Sequence, residues 1–220
     1  MKQAIDREDL WQTTRQWRGE GKTIALVPTM GNLHEGHIAL VRRAREQADR
    51  VITSIYVNPT QFGADEDLDR YPRTLDADFA ALEGVGCDLA FTPGVDSIYP
   101  FGLGSAFMLS APSELATILE GHFRPGHFDG VVTVVARLFN LVQPDVAIFG
   151  EKDFQQLMII RRMVEDMGYD IRIDALATVR DEKGLALSSR NRYLDPEQVN
   201  AARNLFRVLQ STANQVGRGG

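Results

Sequence analysis

The chain has one cysteine in 220 residues, Cys87, so it can form no internal disulfide and no thiolate cluster around a metal. A lone thiol just before the apolar run Leu89-Ala90-Phe91 fits a small buried residue in a reducing compartment. Long apolar runs are also missing. No segment approaches the length that spans a bilayer. Residues 1–20 mix acids and bases where a signal peptide needs an apolar stretch. A soluble, cytoplasmic protein with no membrane partner is expected. There is no excess of positive charge: 24 Lys and Arg face 30 Asp and Glu, a formal net charge of −6, which argues against nucleic acid as a partner. Arg42, Arg43, Arg45 and Arg50 interleave with Glu46 and Asp49, the pattern of a solvated helix face. Two familiar phosphate loops are missing as well. Nothing matches Gly-x-x-x-x-Gly-Lys-Ser/Thr, and no Gly-x-Gly-x-x-Gly turn follows the first long apolar run.

What is present is an alternation of two periodicities. Continuous apolar, β-branched runs at 23–27, 51–57, 88–92, 145–149 and 171–177 read as strands buried on both faces. Helical spacing fills the intervals at 34–48, 75–82, 130–142 and 154–167, and a further helix begins at Asp6-Arg7-Glu8-Asp9. This pattern predicts an α/β fold, a Rossmann-like doubly wound parallel sheet. After a charged turn at residues 180–184, Asp195-Pro196-Glu197-Gln198 has the form of a capped helix start. The helix would run to about residue 210, with Val199, Ala202, Phe206 and Leu209 on one face.

The most informative stretch is Thr29-Met30-Gly31-Asn32-Leu33-His34-Glu35-Gly36-His37. It joins a strand to a helix and puts two histidines three residues apart on the first helical turn, facing the same way. Backbone N–H groups at a helix start already attract anions, and two imidazoles there suit a polyphosphate. Other readings exist. His-x-x-His without a nearby cysteine is poor zinc spacing, and the zinc-protease pattern puts its second histidine one residue later. The pair could also be incidental on a surface.

In an open parallel sheet, ligands bind beyond the carboxyl ends of the strands. Those ends carry Asn58-Pro59-Thr60-Gln61-Phe62, Gly150-Glu151-Lys152-Asp153 with Gln155 and Gln156, and Val179-Arg180 leading to Ser188-Ser189-Arg190-Asn191. Glycines, imidazoles, a lysine, hydroxyls and an arginine are what phosphate chemistry needs. A cation at a helix start, as Lys152 would be, is disfavoured by the macrodipole unless an anion meets it there. Gln61 and Gln156, neutral groups that both donate and accept, suit a hydroxy acid.

Five blocks in order, Pro28 to His37, Tyr56 to Phe62, Arg124-Pro125-Gly126-His127-Phe128, Phe149 to Gln156, and Ser188 to Asn191, resemble the motifs of the pantothenate synthetase family within the histidine-motif nucleotidyltransferases. The resemblance implies ATP-dependent joining of pantoate to β-alanine, with magnesium. The pantoate carboxylate would attack the α-phosphorus and release pyrophosphate, and the β-alanine amine would then displace AMP from the acyl adenylate. By the same resemblance, Met30, Gly31, His34 and His37 hold ATP, with His37 as acid. Lys152, Ser188, Ser189 and Arg190 neutralise the triphosphate, while Gly150, Asp153 and Val179 frame the nucleoside. Gln61, Gln156 and Asn58 take pantoate, and Gln61 also meets β-alanine. Asp78 would help hold magnesium, itself bound mainly by phosphates and water. The resemblance further implies a homodimer and no covalent enzyme intermediate.

It also implies two units: 1–182 as the nucleotidyltransferase domain, and 183–220 as the start of a C-terminal lid that is longer in the family. A shortened lid is expected to leave ATP and pantoate binding intact and to slow turnover, since an acyl adenylate needs shelter from water. A plain nucleotidyltransferase without the amine step and a weakly catalytic nucleotide-binding module are the alternatives. An aminoacyl-tRNA synthetase fits less well, because the chain is short, acidic and lacks a tRNA-binding module.

Overall fold

The computed structural model describes residues 1–217. Six parallel strands form one sheet: β1 (Lys2–Ala4), β2 (Ile24–Thr29), β3 (Arg50–Ile55), β4 (Leu89–Phe91), β5 (Val146–Gly150) and β6 (Arg172–Leu176). Their spatial order is β1-β4-β3-β2-β5-β6. The chain therefore builds outward from β2 to β3 and β4, then returns to the other side of β2 to lay down β5 and β6. The sense of winding reverses between β2 and β5, and that is where such sheets open a crevice.

All five expected strands are present within two residues of their expected bounds. The sixth, β1, is an addition to them. It is three residues long, begins with Lys2 and Gln3, and pairs at the edge with β4; so short a polar segment carries no periodicity to read.

The major helices are α1 (Arg7–Gly19), α2 (Glu35–Gln47), α3 (Leu75–Gly84), α7 (His127–Val142), α8 (Phe154–Asp166) and α9 (Pro196–Val216). Three single turns, α4 (Val95–Ile98), α5 (Ser113–Ala116) and α6 (Glu120–Phe123), interrupt the long connection before α7. Residues alternate across the sheet. Ile24 and Leu26 join a core with Leu10, Trp17 and the α7 stripe on one face. Ala25 and Val27 join Val41, Ala44 and Leu82 of α2 and α3 on the other. Both faces are covered, which is why the strands read as continuous apolar runs. No helix among the described residues is long and apolar enough to cross a membrane.

Helix α7 is rich in valine, a modest helix former, yet thirteen of its sixteen residues are buried. Tertiary packing holds it, as for most helices in globular proteins. It stops where Gln143 turns left-handed at φ 50° ahead of Pro144. It starts three residues earlier than its periodicity suggests, so His127 lies in its first turn.

Packing at that end is tight. A Cβ built on Gly130 would lie 2.3 Å from the Thr60 carbonyl oxygen and 2.6 Å from the Gln61 nitrogen. Gly130→Ala must therefore push α7 away from the 59–61 turn and should destabilise the fold by about 1–3 kcal/mol in urea unfolding. Gly84→Ala meets nothing within 4 Å at the end of α3 and should be neutral or stabilising. Equal stability of the two variants would contradict this packing.

Candidate active site

The β2–α2 turn is shaped by one carboxylate. Asp78, 2% exposed, accepts the backbone N–H of Asn32 at 3.0 Å and of Leu33 at 2.8 Å, and the Thr74 hydroxyl at 3.1 Å. Gly31 makes the bend possible at φ 81°; a side chain there would strike Ile55 at 2.9 Å. Thr29 donates to the Ser54 carbonyl and accepts from Gly31 N–H, tying the turn to β3. Asp78 is thus committed to the backbone and does not line the cleft, contrary to its expected part in holding magnesium. Gly31 also shapes the cleft without lining it.

The turn then ends in an unusual cap. His34 is the N-cap of α2, and its Nδ1 accepts from Gly36 N–H at 3.1 Å; His37, at the third helical position, accepts the His34 N–H at Nδ1 (3.3 Å). The two rings lie 4.0 Å apart between centroids. An N–H that donates to Nδ1 requires that nitrogen to be bare, so each neutral ring carries its proton on Nε2. Burial, followed by the charges of His34 and Lys152, pushes the His37 pKa down to about 3. Burial and then Lys152 also lower that of His34. The pair is neutral near pH 7, with two Nε2–H donors to offer.

Beside it, the 3₁₀ turn Pro59–Gln61 presents Gln61 to the cleft. Asn58, 1% exposed, spends its whole amide on structure. Its Nδ2 donates to Gln61 Oε1 and the Gly130 carbonyl, both at 3.2 Å, and its Oδ1 accepts from the hydroxyls of Tyr99 (2.8 Å) and Thr60 (3.1 Å). Asn58 orients Gln61 and lies outside the cleft wall. The Gln61 carbonyl accepts from His127 Nδ1–H at 2.8 Å, and Arg124 Nη1 donates to Nε2 of the same ring at 3.1 Å. His127 therefore holds the opposite tautomer to His34 and His37. Burial comes first among the causes that lower its pKa.

Across the β2/β5 switch, β5 ends in Gly150 and a 3₁₀ turn (Glu151–Asp153) leads into α8. Lys152 pairs there with Asp153 at 2.9 Å. Beyond β6 the chain makes a hairpin, with an Arg180–Ala186 bridge and a Leu187 N–H bond to the Val179 carbonyl at 2.9 Å, which returns residues 187–190 over the cleft. Ser189 donates to the Asn32 carbonyl at 3.1 Å, locking this segment to the histidine turn. Met30, His34, His37, Gln61, Gly150, Lys152, Asp153, Gln156, Val179, Ser188, Ser189 and Arg190 all line one cleft. Sequence reasoning gave no role to Tyr71, Glu120, Arg124 or His127, which also line it. The Arg-Pro-Gly-His-Phe block was the available signal for the last two.

The fold and this cleft define the class: a Rossmann-like α/β protein with imidazoles and a lysine on either side of the switch point of its parallel sheet. The family model for pantoate-beta-alanine ligase matches residues 3–219, and the chain belongs to that family. A pantothenate synthetase of Pseudomonas putida (strain GB-1) is 58% identical over 202 residues, 92% of this chain and 70% of the relative. One from Shewanella amazonensis is 52% identical over 212 residues, 96% of this chain and 75% of its own. Among solved structures, a pantothenate synthetase from Thermus thermophilus matches with a TM-score of 0.94 at 48% identity, over 100% of this chain and 77% of the other. The Francisella tularensis pantoate-beta-alanine ligase, a complex with beta-gamma ATP and beta-alanine, gives 0.89 at 38% identity, over 96% and 79%. The chain is accordingly a ligase that forms pantothenate from pantoate and β-alanine with ATP.

Two outcomes follow from the geometry. Asp78→Asn turns an amide toward a backbone N–H and should cost about 1–3 kcal/mol in unfolding experiments. The loss should be the same with and without magnesium; a larger loss with the metal present would restore Asp78 as a ligand. The histidines make stability depend on pH. Their folded pKa values lie below the unfolded value near 6.5, so the unfolded chain binds more protons and stability falls as pH drops from 7 toward 5. Wild type should lose roughly 1–2 kcal/mol more over that range than His37→Gln. Parallel pH profiles would mean that His37 is not held neutral.

Proposed function

We propose that the ligation runs in two steps through a pantoyl adenylate. The pantoate carboxylate attacks the α-phosphorus of ATP and pyrophosphate leaves; the β-alanine amine then attacks the acyl carbon and AMP leaves. The observation that carries this reading is the meeting, in one cleft, of two neutral imidazole donors and Lys152 with the amides of Gln61 and Gln156. His34 and His37 donate from Nε2 to phosphate oxygens as charge grows there. His37, kept neutral in the free chain by burial, acts first as a hydrogen-bond donor from Nε2, and the acid role expected of it would use that same proton.

Lys152, Ser188, Ser189 and Arg190 take the triphosphate and the departing pyrophosphate. Gly150, Asp153 and Val179 border the nucleoside. Gln61, held by Asn58, and Gln156 orient pantoate, so much of the rate comes from positioning.

Among the described residues no group of three His, Cys, Asp or Glu could cage a metal, and Asp78 is engaged elsewhere. The described residues make no all-protein magnesium cage. A magnesium ion there would arrive on the triphosphate with its water, and no step is assigned to it. Residues from 183 onward read as the start of a closing unit, with Leu187 to Arg190 already in the cleft wall. The homodimer reading finds support in large apolar side chains left uncovered, Phe101 and Phe107 at 84% and 94% exposure.

The test uses variants that keep the cap. Serine is a normal N-cap and glutamine a normal third residue of a capping box, so His34→Ser and His37→Gln should fold. Each should slow pantoate-dependent exchange of pyrophosphate into ATP by roughly 10²- to 10³-fold, as should Lys152→Ala. Near-normal exchange would remove that side chain from the chemistry. Exchange in the absence of β-alanine, with AMP release only when it is added, is what the adenylate route requires. Exchange without amine-dependent AMP release would favour a plain nucleotidyltransferase.

A further inference from the structure

Two adjacent carboxylates on the 63–73 loop each grip an arginine of the cleft wall. Glu66 takes Arg124 in a fork, with Nη2 to Oε2 at 2.6 Å and Nε to Oε1 at 2.7 Å. Asp67 takes Arg190 the same way, with Nη2 to Oδ1 at 2.9 Å and Nε to Oδ2 at 3.1 Å. The two forks sit in different settings. Arg124 is only 21% exposed and is held further by Glu120 and the Gln61 carbonyl. The Arg190 side chain is 43% exposed, while its partner Asp67 is 14% exposed and also accepts the Tyr193 hydroxyl at 3.2 Å. The Asp67–Arg190 pair therefore has a fixed carboxylate and a guanidinium that rests on it, with the Tyr71 ring 5.6 Å away.

We propose that Asp67 is a positioning residue that occupies the Arg190 fork as a stand-in anion until the ATP triphosphate replaces it, and so sets the affinity for ATP. This rests on the reading of Arg190 as a triphosphate ligand. A guanidinium fork matches carboxylate and phosphate alike. While Asp67 fills it, ATP must compete, and the apparent affinity falls by the fraction of time that the fork is free. The same pair keeps the guanidinium beside the cleft when no nucleotide is bound. It also joins the 63–73 loop to the 188–193 segment, so displacing the carboxylate from Arg190 leaves the Tyr193 hydroxyl as its remaining bond to that segment. The paired guanidinium lowers the Asp67 pKa, chiefly through its hydrogen bonds, which keeps the stand-in charged across the neutral range.

The experiment is calorimetric titration of ATP, without pantoate, into the full chain. Asp67→Asn should tighten ATP binding by roughly two- to fivefold, the range of a partly exposed ion pair removed from competition. Tyr193→Phe loosens the same carboxylate from its other side and should tighten binding less. Asp69→Asn removes an equal charge from the exposed part of the loop and should change nothing. Arg190→Gln should weaken binding. Weaker or unaltered binding in Asp67→Asn, alongside weakening in Arg190→Gln, overturns the inference and leaves the Arg190 role standing. Equal tightening in Asp69→Asn also overturns it, since bulk charge would then suffice. Unaltered binding in Arg190→Gln would show that the underlying reading of Arg190 had failed.

Discussion

At the start of α2 two backbone N–H groups donate into imidazole nitrogens, where most helices offer a hydroxyl or a carboxylate. Much of the cleft depends on that substitution. The cap uses Nδ1 of both rings, so both Nε2 positions must carry protons. The same bonds hold the rings in place before any ligand arrives, and such preorganised donors need no rearrangement when charge develops. A carboxylate cap would close the helix equally well and repel a phosphate. An imidazole can cap with one nitrogen and donate with the other.

The cap is itself held from behind. Asp78 fixes the turn by accepting two consecutive N–H groups, and Ser189 locks the far segment to Asn32. The 59–61 turn is anchored through Asn58 and His127. Three polar residues that chemistry-minded reading places at the substrate, Asp78, Asn58 and Ser189, spend part or all of their hydrogen bonding on the frame. Buried polar groups are costly unless satisfied, so a cleft built from loops needs such residues beneath the ones that touch ligand.

This explains what the sequence could and could not disclose. The strands, the switch point and the histidine turn were legible because periodicity and strand-end position depend on neighbours in the chain. The facing of Asp78 and Asn58 was not, because a polar residue near a strand end looks the same whether it points at solvent, ligand or backbone. The Glu66 and Asp67 pairings were hidden for another reason: their arginines lie 58 and 123 residues away, and only the path of the 63–73 loop brings them together. Strand β1 escaped because three residues at a sheet edge show no repeat.

Charge balance in the cleft links these features to selectivity. Among the described residues, each Lys or Arg in its wall has a carboxylate partner: Lys152 with Asp153, Arg124 with Glu66 and Glu120, and Arg190 with Asp67. The histidines are neutral. The resting cleft therefore holds little uncompensated charge, and a monoanion entering it must break an ion pair to gain one of similar worth. A triphosphate brings several charges on one scaffold, so replacing one carboxylate makes the next replacement intramolecular. On the proposed reading, pantoate, with a single carboxylate, gains little from competing at the forks and is left to the neutral amides of Gln61 and Gln156. On that same reading, ion-paired cations and neutral amides within one cleft sort the two substrates by charge before any shape is read.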